Sequence, residues 1–224
     1  MTADEFANYI DLSLLKPDAT IKDMDALIMD AQKYPFASVC IPPCHVRLAA
    51  RMLEEAPVKV CTVIGFPFGY QSMDSKIHEA FDAVEAGAGE VDMVMNISMF
   101  KSGELAYLQD EISEIVSAIH GITIKVIIEA CYLTNEEKVK ACELVAKGKA
   151  DYVKTSTGFG PGGATVSDVK LLAETASGRI KVKASGGIRS LDDALRMIEA
   201  GALRIGTSAG VKMLEEFKRG LLTN

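Results

Sequence analysis

The chain has 224 residues, 49% of them hydrophobic and 25% charged, with a formal net charge of −7. That length suits one alternating α/β domain or two small ones, and an acidic chain without a basic footprint offers no general surface to nucleic acid or to an anionic membrane. No apolar run reaches the roughly 18 residues of a membrane-spanning helix, MTADEFANYIDLS lacks a secretory pattern, and five cysteines, mostly in apolar stretches, read as reduced thiols of a cytoplasmic protein.

Strand-like runs alternate with helix-like ones along the chain. The strands are expected at Tyr9 to Leu15, Ala37 to Ile41, Lys59 to Gly65, Glu90 to Asn96, Thr123 to Ala130, Asp151 to Ser156, Lys181 to Ser185 and Leu203 to Gly206. Between them, apolar residues recur at helical spacing, as in Met24, Leu27, Ile28 and Ala31. The strands are too apolar to keep one face wet, which implies a parallel sheet covered by crossover helices. Eight such units fit one compact (β/α)₈ TIM barrel over residues 1–224, a fold of typically about 250 residues with a lower end near 200. The alternative is an open doubly wound sheet, but its Gly-x-Gly-x-x-Gly turn after the first strand is missing. The tetrapeptide EAGA recurs at Glu85 to Ala88 and Glu199 to Ala202, each at a predicted helix end. It reads as weak internal repetition or as shared helix-stop chemistry.

Three strand residues stand out. Lys154 in ADYVKTSTGFG and Lys183 in RIKVKASGGIR each sit late on an apolar strand and run straight into small residues and glycine. An unpaired ammonium in such a place costs several kcal/mol. Burial and a second nearby cation both favour a neutral amine, and a neutral lysine attacks carbonyls to give a Schiff base, an electron sink for making or breaking an adjacent carbon–carbon bond. Asp92 lies mid-strand in EVDMV, and alternation puts it on one face with Val94 and Asn96, away from Val91, Met93 and Met95. It is either half of a structural ion pair or a proton carrier beside the lysines. Lys125 shares the inward parity, so parity alone does not rank the lysines; Lys154 and Lys183 are favoured because barrel chemistry sits at the C-terminal strand ends.

A second signal is independent of the first. SGGIR from Ser185 follows the seventh strand and GTSAG from Gly206 the eighth, each leading into a helix. Glycines let backbone N–H groups approach an anion, and barrels often bind phosphate at these loops. Cys40, Cys44 and His45 form only a partial ligand set, and no metal is expected from it. His45, His78 and His120 are read as solvated, and Met24, Met29, Met93, Met95 and Met99 as packing residues.

Taken in order, IDLSLLKPDAT from Ile10, SVCIPP from Ser38, VCTVIGFPFG from Val60, GAGEVDMVMNI from Gly87, KVIIEACYLT from Lys125, ADYVKTSTGFGPGGAT from Ala150, KVKASGGIRSLDDAL from Lys181 and RIGTSAG from Arg204 resemble the deoxyribose-phosphate aldolases, class I aldolases built on a (β/α)₈ barrel. The resemblance spans nearly the whole chain. It implies Lys154 as the Schiff-base lysine, Lys183 as the second lysine and Asp92 as the proton carrier. Asp11, Cys40 and Thr157 would line the pocket, and Gly158, Gly186, Gly187, Gly206 and Ser208 would cradle phosphate. The implied reaction is the reversible cleavage of 2-deoxy-D-ribose 5-phosphate to D-glyceraldehyde 3-phosphate and acetaldehyde, in deoxyribose phosphate catabolism. The partners implied are that phosphosugar and acetaldehyde, with no cofactor and no metal, in a homo-oligomer, either dimer or tetramer. Activity is expected to fall in acid as the nucleophilic amine gains its proton.

The chain departs from the family pattern at four places: Leu12-Ser13 stands where His-Thr is common, Pro42 where Asn or Tyr is frequent, Phe159 where some members carry lysine, and Leu221-Leu222-Thr223-Asn224 where some end in a tyrosine tail. The competing readings are another phosphosugar TIM-barrel lyase of transaldolase type, or a phosphosugar-binding protein without catalysis.

Overall fold

The computed structural model describes residues 1–222; Thr223 and Asn224, the end of the segment compared above with tyrosine tails, lie outside the described residues. Eight parallel strands close into a barrel in sequence order: β1 (Ile10–Ser13), β2 (Ser38–Ile41), β3 (Lys59–Ile64), β4 (Glu90–Val94), β5 (Thr123–Ile127), β6 (Tyr152–Lys154), β7 (Lys181–Ser185) and β8 (Arg204–Thr207), with β8 pairing back to β1. A short α1 (Ala3–Ala7) precedes β1. The crossovers are α2 (Ile21–Ala31), α3 (Val46–Met52), α4 (Met73–Glu85), the pair α5 (Ile97–Lys101) and α6 (Leu105–Ala118), α7 (Asn135–Lys147), α8 (Val166–Ala176) and α9 (Leu191–Glu199). The last helix, α10 (Gly210–Leu222), follows β8. The TIM barrel read from the eight strand-helix units is therefore the fold observed.

Period-two alternation divides each strand between two interiors. Val39, Ile41, Val60, Val91, Met93, Val126, Val153, Val182, Ala184 and Ile205 belong to the apolar layer between sheet and helices. The other parity fills the barrel itself, with Asp11, Cys40, Cys61, Asp92, Lys125, Lys154 and Lys183 all buried. Of the methionines expected to pack, Met24, Met93 and Met95 do so, whereas Met29 and Met99 are exposed.

Several strands end earlier than expected, most clearly β1, β4, β5 and β6. The apolar sequence continues because the pairing continues: Leu14 N–H donates to Cys40 O (2.9 Å), Met95 to Ile127 (3.0 Å), Ile128 to Lys154 (3.0 Å) and Thr155 to Lys183 (3.1 Å). The rim beyond the formal strand ends is thus held by backbone bonds, which makes it a firm base for functional groups.

The two EAGA segments are helix stops of one design. Gly87 and Gly201 take φ of 105° and 109°, and the following residues close back five positions, Ala88 N–H to Ala83 O at 2.9 Å and Ala202 N–H to Met197 O at 3.0 Å. A Cβ at either glycine would also press on an alanine of a neighbouring helix, Ala50 at 2.6 Å or Ala173 at 2.7 Å. Conformation and close packing together require glycine there.

Behind the barrel a buried pair ties α4, β4 and α6 together. Lys76 Nζ donates to Glu111 Oε1 at 2.8 Å and to Val94 O at 2.9 Å, at the C-terminal end of the strand that carries Asp92. Burial pushes the Lys76 ammonium down and the Glu111 carboxyl up, each opposed by the charge of the other. Ile112, one residue on, is fully buried against Gly148 after α7. Ile112→Ala is expected to lower the urea unfolding free energy by about 2–5 kcal/mol through the cavity it leaves.

Candidate active site

The site is built on adjacent strands whose register brings charged side chains together. Lys154 and Lys183 are directly opposite across β6 and β7, and Asp92 is opposite Lys125 across β4 and β5. Neighbouring strands lie roughly 4.8 Å apart, so all four side chains project into one small volume. There Asp92 is the common partner. Its Oδ2 accepts from Lys154 Nζ and from Lys183 Nζ at 2.7 Å each, while its Oδ1 accepts from Lys125 Nζ at 2.8 Å. The sequence left open an ion pair with one lysine; the structure shows three.

A lower tier completes the network. Asp11 pairs with Lys183 and with Arg204 (2.6 Å) and accepts from Ser38 Oγ at 2.7 Å, and Glu90 pairs with Lys125 at 2.7 Å and Arg204 at 2.5 Å. Burial opposes the charge on Asp11, Asp92, Lys125, Lys183 and Arg204, and their partners overcome it. Asp92 is held well below the ordinary carboxylate range by Lys125, Lys154 and Lys183, and Asp11 is likewise held low by Lys183, Lys125 and Arg204. Asp11 and Asp92 hold the Lys183 ammonium well above the ordinary lysine range, and Lys125 is held high in the same way, Asp92 foremost. Lys183 is therefore a fixed cation, separated from Lys154 by a shared carboxylate oxygen.

Above this tier lies a cavity of ≈ 310 Å³, open at the C-terminal rim and lined by Lys154, Thr157, Gly158, Gly186, Gly187, Gly206 and Ser208 among others. Every residue expected in the phosphate cradle thus lines this one cavity. Lys154 is the lysine of the network that reaches it: its side chain is 3% exposed against 0% for Lys125 and Lys183. The loops are braced to one another. Ser185 Oγ donates to Ser156 O (2.5 Å), Thr155 Oγ1 to Ser185 O (3.0 Å), and Thr207 Oγ1 to Ile188 O (2.8 Å). A Cβ on Gly163 would overlap the carbonyl oxygen of Gly186, so the loop after β6 lies directly on the loop after β7.

The sequence pattern of the DeoC/LacD family aldolases matches residues 6–216. The chain belongs to that family. Among curated relatives, it is 57% identical over 216 residues to a deoxyribose-phosphate aldolase of Caldanaerobacter subterraneus subsp. tengcongensis, covering 95% of this chain and 94% of that one. Among solved structures, it is similar to one described as "QR15, an Aldolase" (45% identity, TM-score 0.94, 98% and 99% covered). It is also similar to the tetrameric deoxyribose phosphate aldolase from Aeropyrum pernix (37% identity, TM-score 0.89, 97% and 92% covered).

Two expected pocket residues of this aldolase lie elsewhere. Asp11 is sealed in the lower tier against Lys183 and Arg204, and Cys40 is buried beside Cys61 and Asp92. Both were expected there from the family resemblance, which matches residues along a strand but not their depth in the barrel. Cys40 is gathered with Cys61 and Asp92, not with Cys44 and His45, and the three ligand atoms lie within 4.8 Å of one another. They make a poor cation site, because Asp92 is already engaged by three ammonium groups and Lys125 Nζ is also 3.3 Å from Cys61 Sγ. Arg204 and Glu90 were missed, although a charged residue of inward parity on each strand was the available signal. Lys16 and Arg189, exposed cations on the cavity rim, were also missed. At the departures from the family pattern, Leu12 packs into the outer core, Ser13 lines the cavity, and Phe159 sets its ring edge-on against Phe66.

The charge network makes two predictions about stability. Lys125→Met leaves Asp92 and Glu90 short of a buried partner and is expected to cost about 3–5 kcal/mol in urea unfolding. Asp92 has its folded pKa depressed from the ordinary 3.8, so its contribution is present above that value and is lost as pH falls toward the folded value. The stability gap between the native chain and Asp92→Asn, measured by urea titration, should accordingly be level above about pH 5 and narrow below pH 3.8.

Proposed function

We propose that this aldolase reversibly cleaves 2-deoxy-D-ribose 5-phosphate to D-glyceraldehyde 3-phosphate and acetaldehyde through a Schiff base on Lys154. The observation that carries the reading is a lysine at the floor of a glycine-walled cavity, with its Nζ 2.7 Å from an aspartate oxygen shared with a second, fixed ammonium. Relatives named for deoxyribose phosphate support the substrate.

In this reading the Lys154 amine adds to the C1 aldehyde of the open-chain sugar, and loss of water gives an iminium. The C3 hydroxyl loses its proton, the C2–C3 bond breaks, and its electrons pass into the iminium as an enamine while glyceraldehyde 3-phosphate departs. Protonation of the enamine carbon and hydrolysis release acetaldehyde and the free lysine. Asp92 bridges both lysines and would carry protons to and from Lys154, while Lys183 supplies a permanent positive charge beside the reacting nitrogen. The phosphate would rest on the turns at Gly158, Gly186, Gly187, Gly206 and Ser208, with Lys16 and Arg189 adding charge at the rim in place of the lysine that Phe159 replaces. The tier of Asp11, Glu90, Lys125 and Arg204 would act through Asp92 and Lys183 and touch no substrate. A homo-oligomer in the cytoplasm completes the reading; a tetrameric relative and five free cysteines support it.

Borohydride reduction in the presence of acetaldehyde, followed by peptide mass mapping, is expected to place the adduct on Lys154. Lys154→Ala should abolish both adduct and cleavage; Asp92→Asn should lower kcat by about 10²- to 10⁴-fold as a lost proton carrier, and Lys183→Leu by about 10²- to 10³-fold as a lost electrostatic partner. An adduct on Lys125 or Lys183 would overturn the assignment of roles.

A further inference from the structure

Glu129, just beyond β5, adopts φ 44° and ψ 65°, a left-handed conformation that a residue with a Cβ holds only where its surroundings over-determine it. Its neighbours do so. Ile128 N–H donates to Lys154 O at 3.0 Å and Ala130 N–H to Thr155 O at 2.8 Å, so Glu129 is pinned on both sides to the strand that carries Lys154. Its carboxylate is buried against the loop that leaves that strand.

The carboxylate grips one residue twice. Oε1 accepts from the Thr157 backbone N–H at 3.2 Å, and Oε2 accepts from the Thr157 hydroxyl. Thr157 Oγ1 in turn accepts from Phe159 N–H at 3.0 Å, so the bonds run through the whole Thr157–Gly158–Phe159 turn. Gly158, at φ 87°, packs against Gly186, whose added Cβ would lie 3.6 Å from Gly158 Cα. On the far side the loop returns past the same carboxyl: a Cβ on Gly160 would lie 3.1 Å from Glu129 Cδ and from Cys131 Sγ. A carboxylate cannot hold a phosphate directly, and this one has its charge spent behind the turn.

We infer that Glu129 is a positioning residue for the phosphate end of the site, its carboxylate setting the Thr157–Gly158–Phe159 turn against Gly186 and so shaping the anion cradle. The inference rests on the reading of the glycine-walled cavity as a phosphosugar site. It separates the two ends of that site: Lys154 is held by Asp92, whereas the cradle depends on an acid that touches neither lysine's nitrogen nor the substrate. Burial pushes the Glu129 carboxyl up, opposed by the bonds from Thr157 and by the charge of Lys154. A glutamine in its place keeps one acceptor oxygen and loses the second, charge-assisted one.

The test compares the native chain with Glu129→Gln and with Gly160→Ala, which crowds the carboxyl without removing it. Two quantities are read: the affinity for inorganic phosphate by calorimetry, and the ratio of kcat/KM for 2-deoxyribose 5-phosphate to that for 2-deoxyribose. Glu129→Gln is expected to weaken phosphate binding on the order of tenfold and to lower the ratio by a similar factor, through KM more than kcat. Gly160→Ala should shift both the same way. A variant that merely loses folded protein lowers both activities alike and leaves the ratio unchanged. Phosphate affinity and ratio within about twofold of native in both variants would overturn the role of Glu129, as would a native chain that binds no phosphate. Failure of acetaldehyde to label Lys154 in the native chain would instead overturn the Schiff-base reading, with the phosphate measurement still deciding the role of Glu129.

Discussion

The structure depends on the Asp92 carboxylate, set inside the barrel where three ammonium groups meet. An isolated carboxylate or ammonium at such depth is not sustainable in charged form. The network resolves this collectively: the carboxyl groups of Asp11, Glu90 and Asp92 face the basic side chains of Lys125, Lys154, Lys183 and Arg204. The network sits beneath a cavity walled by glycine turns, and the exposed Lys16 and Arg189 on its rim set positive charge at its mouth.

The barrel explains why such a cluster can form at all. Lys154 and Lys183 are far apart in sequence, yet a parallel register without slippage from β5 to β7 makes them direct neighbours. A slip of one residue on either strand would turn its lysine outward into the apolar layer. The rim bonds beyond the strand ends and the side-chain braces between the β6, β7 and β8 loops fix that register at the end where chemistry takes place. The Lys76–Glu111 pair does the same for β4 from outside, by holding the Val94 carbonyl two residues beyond Asp92.

Much of this was legible in the sequence, because periodicity is a local property. Alternation in EVDMV placed Asp92 inside, and the glycine turns at Ser185 and Gly206 placed the cradle. Depth and convergence were not legible, since they arise from strand tilt and from neighbours around a closed barrel. Asp11 and Cys40 have the right parity but lie below or beside the pocket. Lys125 was seen as a rival of Lys154 without any sign that both would bond the same aspartate. Glu129 shares the inward parity of Lys125 on the expected fifth strand, but its left-handed conformation was not legible, because that is advertised in sequence by glycine and here is imposed by pairing on either side.

On the roles proposed above, the contrast between Lys125 and Lys154 is one of access. Both lie on inward-facing positions of adjacent strands, and both bond Asp92 at close to the same distance. Lys125 is enclosed further by Glu90 and by the thiol of Cys61, and it has no route to the cavity. Lys154 stands two residues further along the register, where β6 gives way to a loop of small residues and one wall is missing. Through that gap an aldehyde can arrive and a proton can leave. The same carboxylate that fixes Lys125 as a structural cation would, on the proposed roles, serve Lys154 as a proton relay, and the two lysines differ in access, not in residue type or pairing with Asp92.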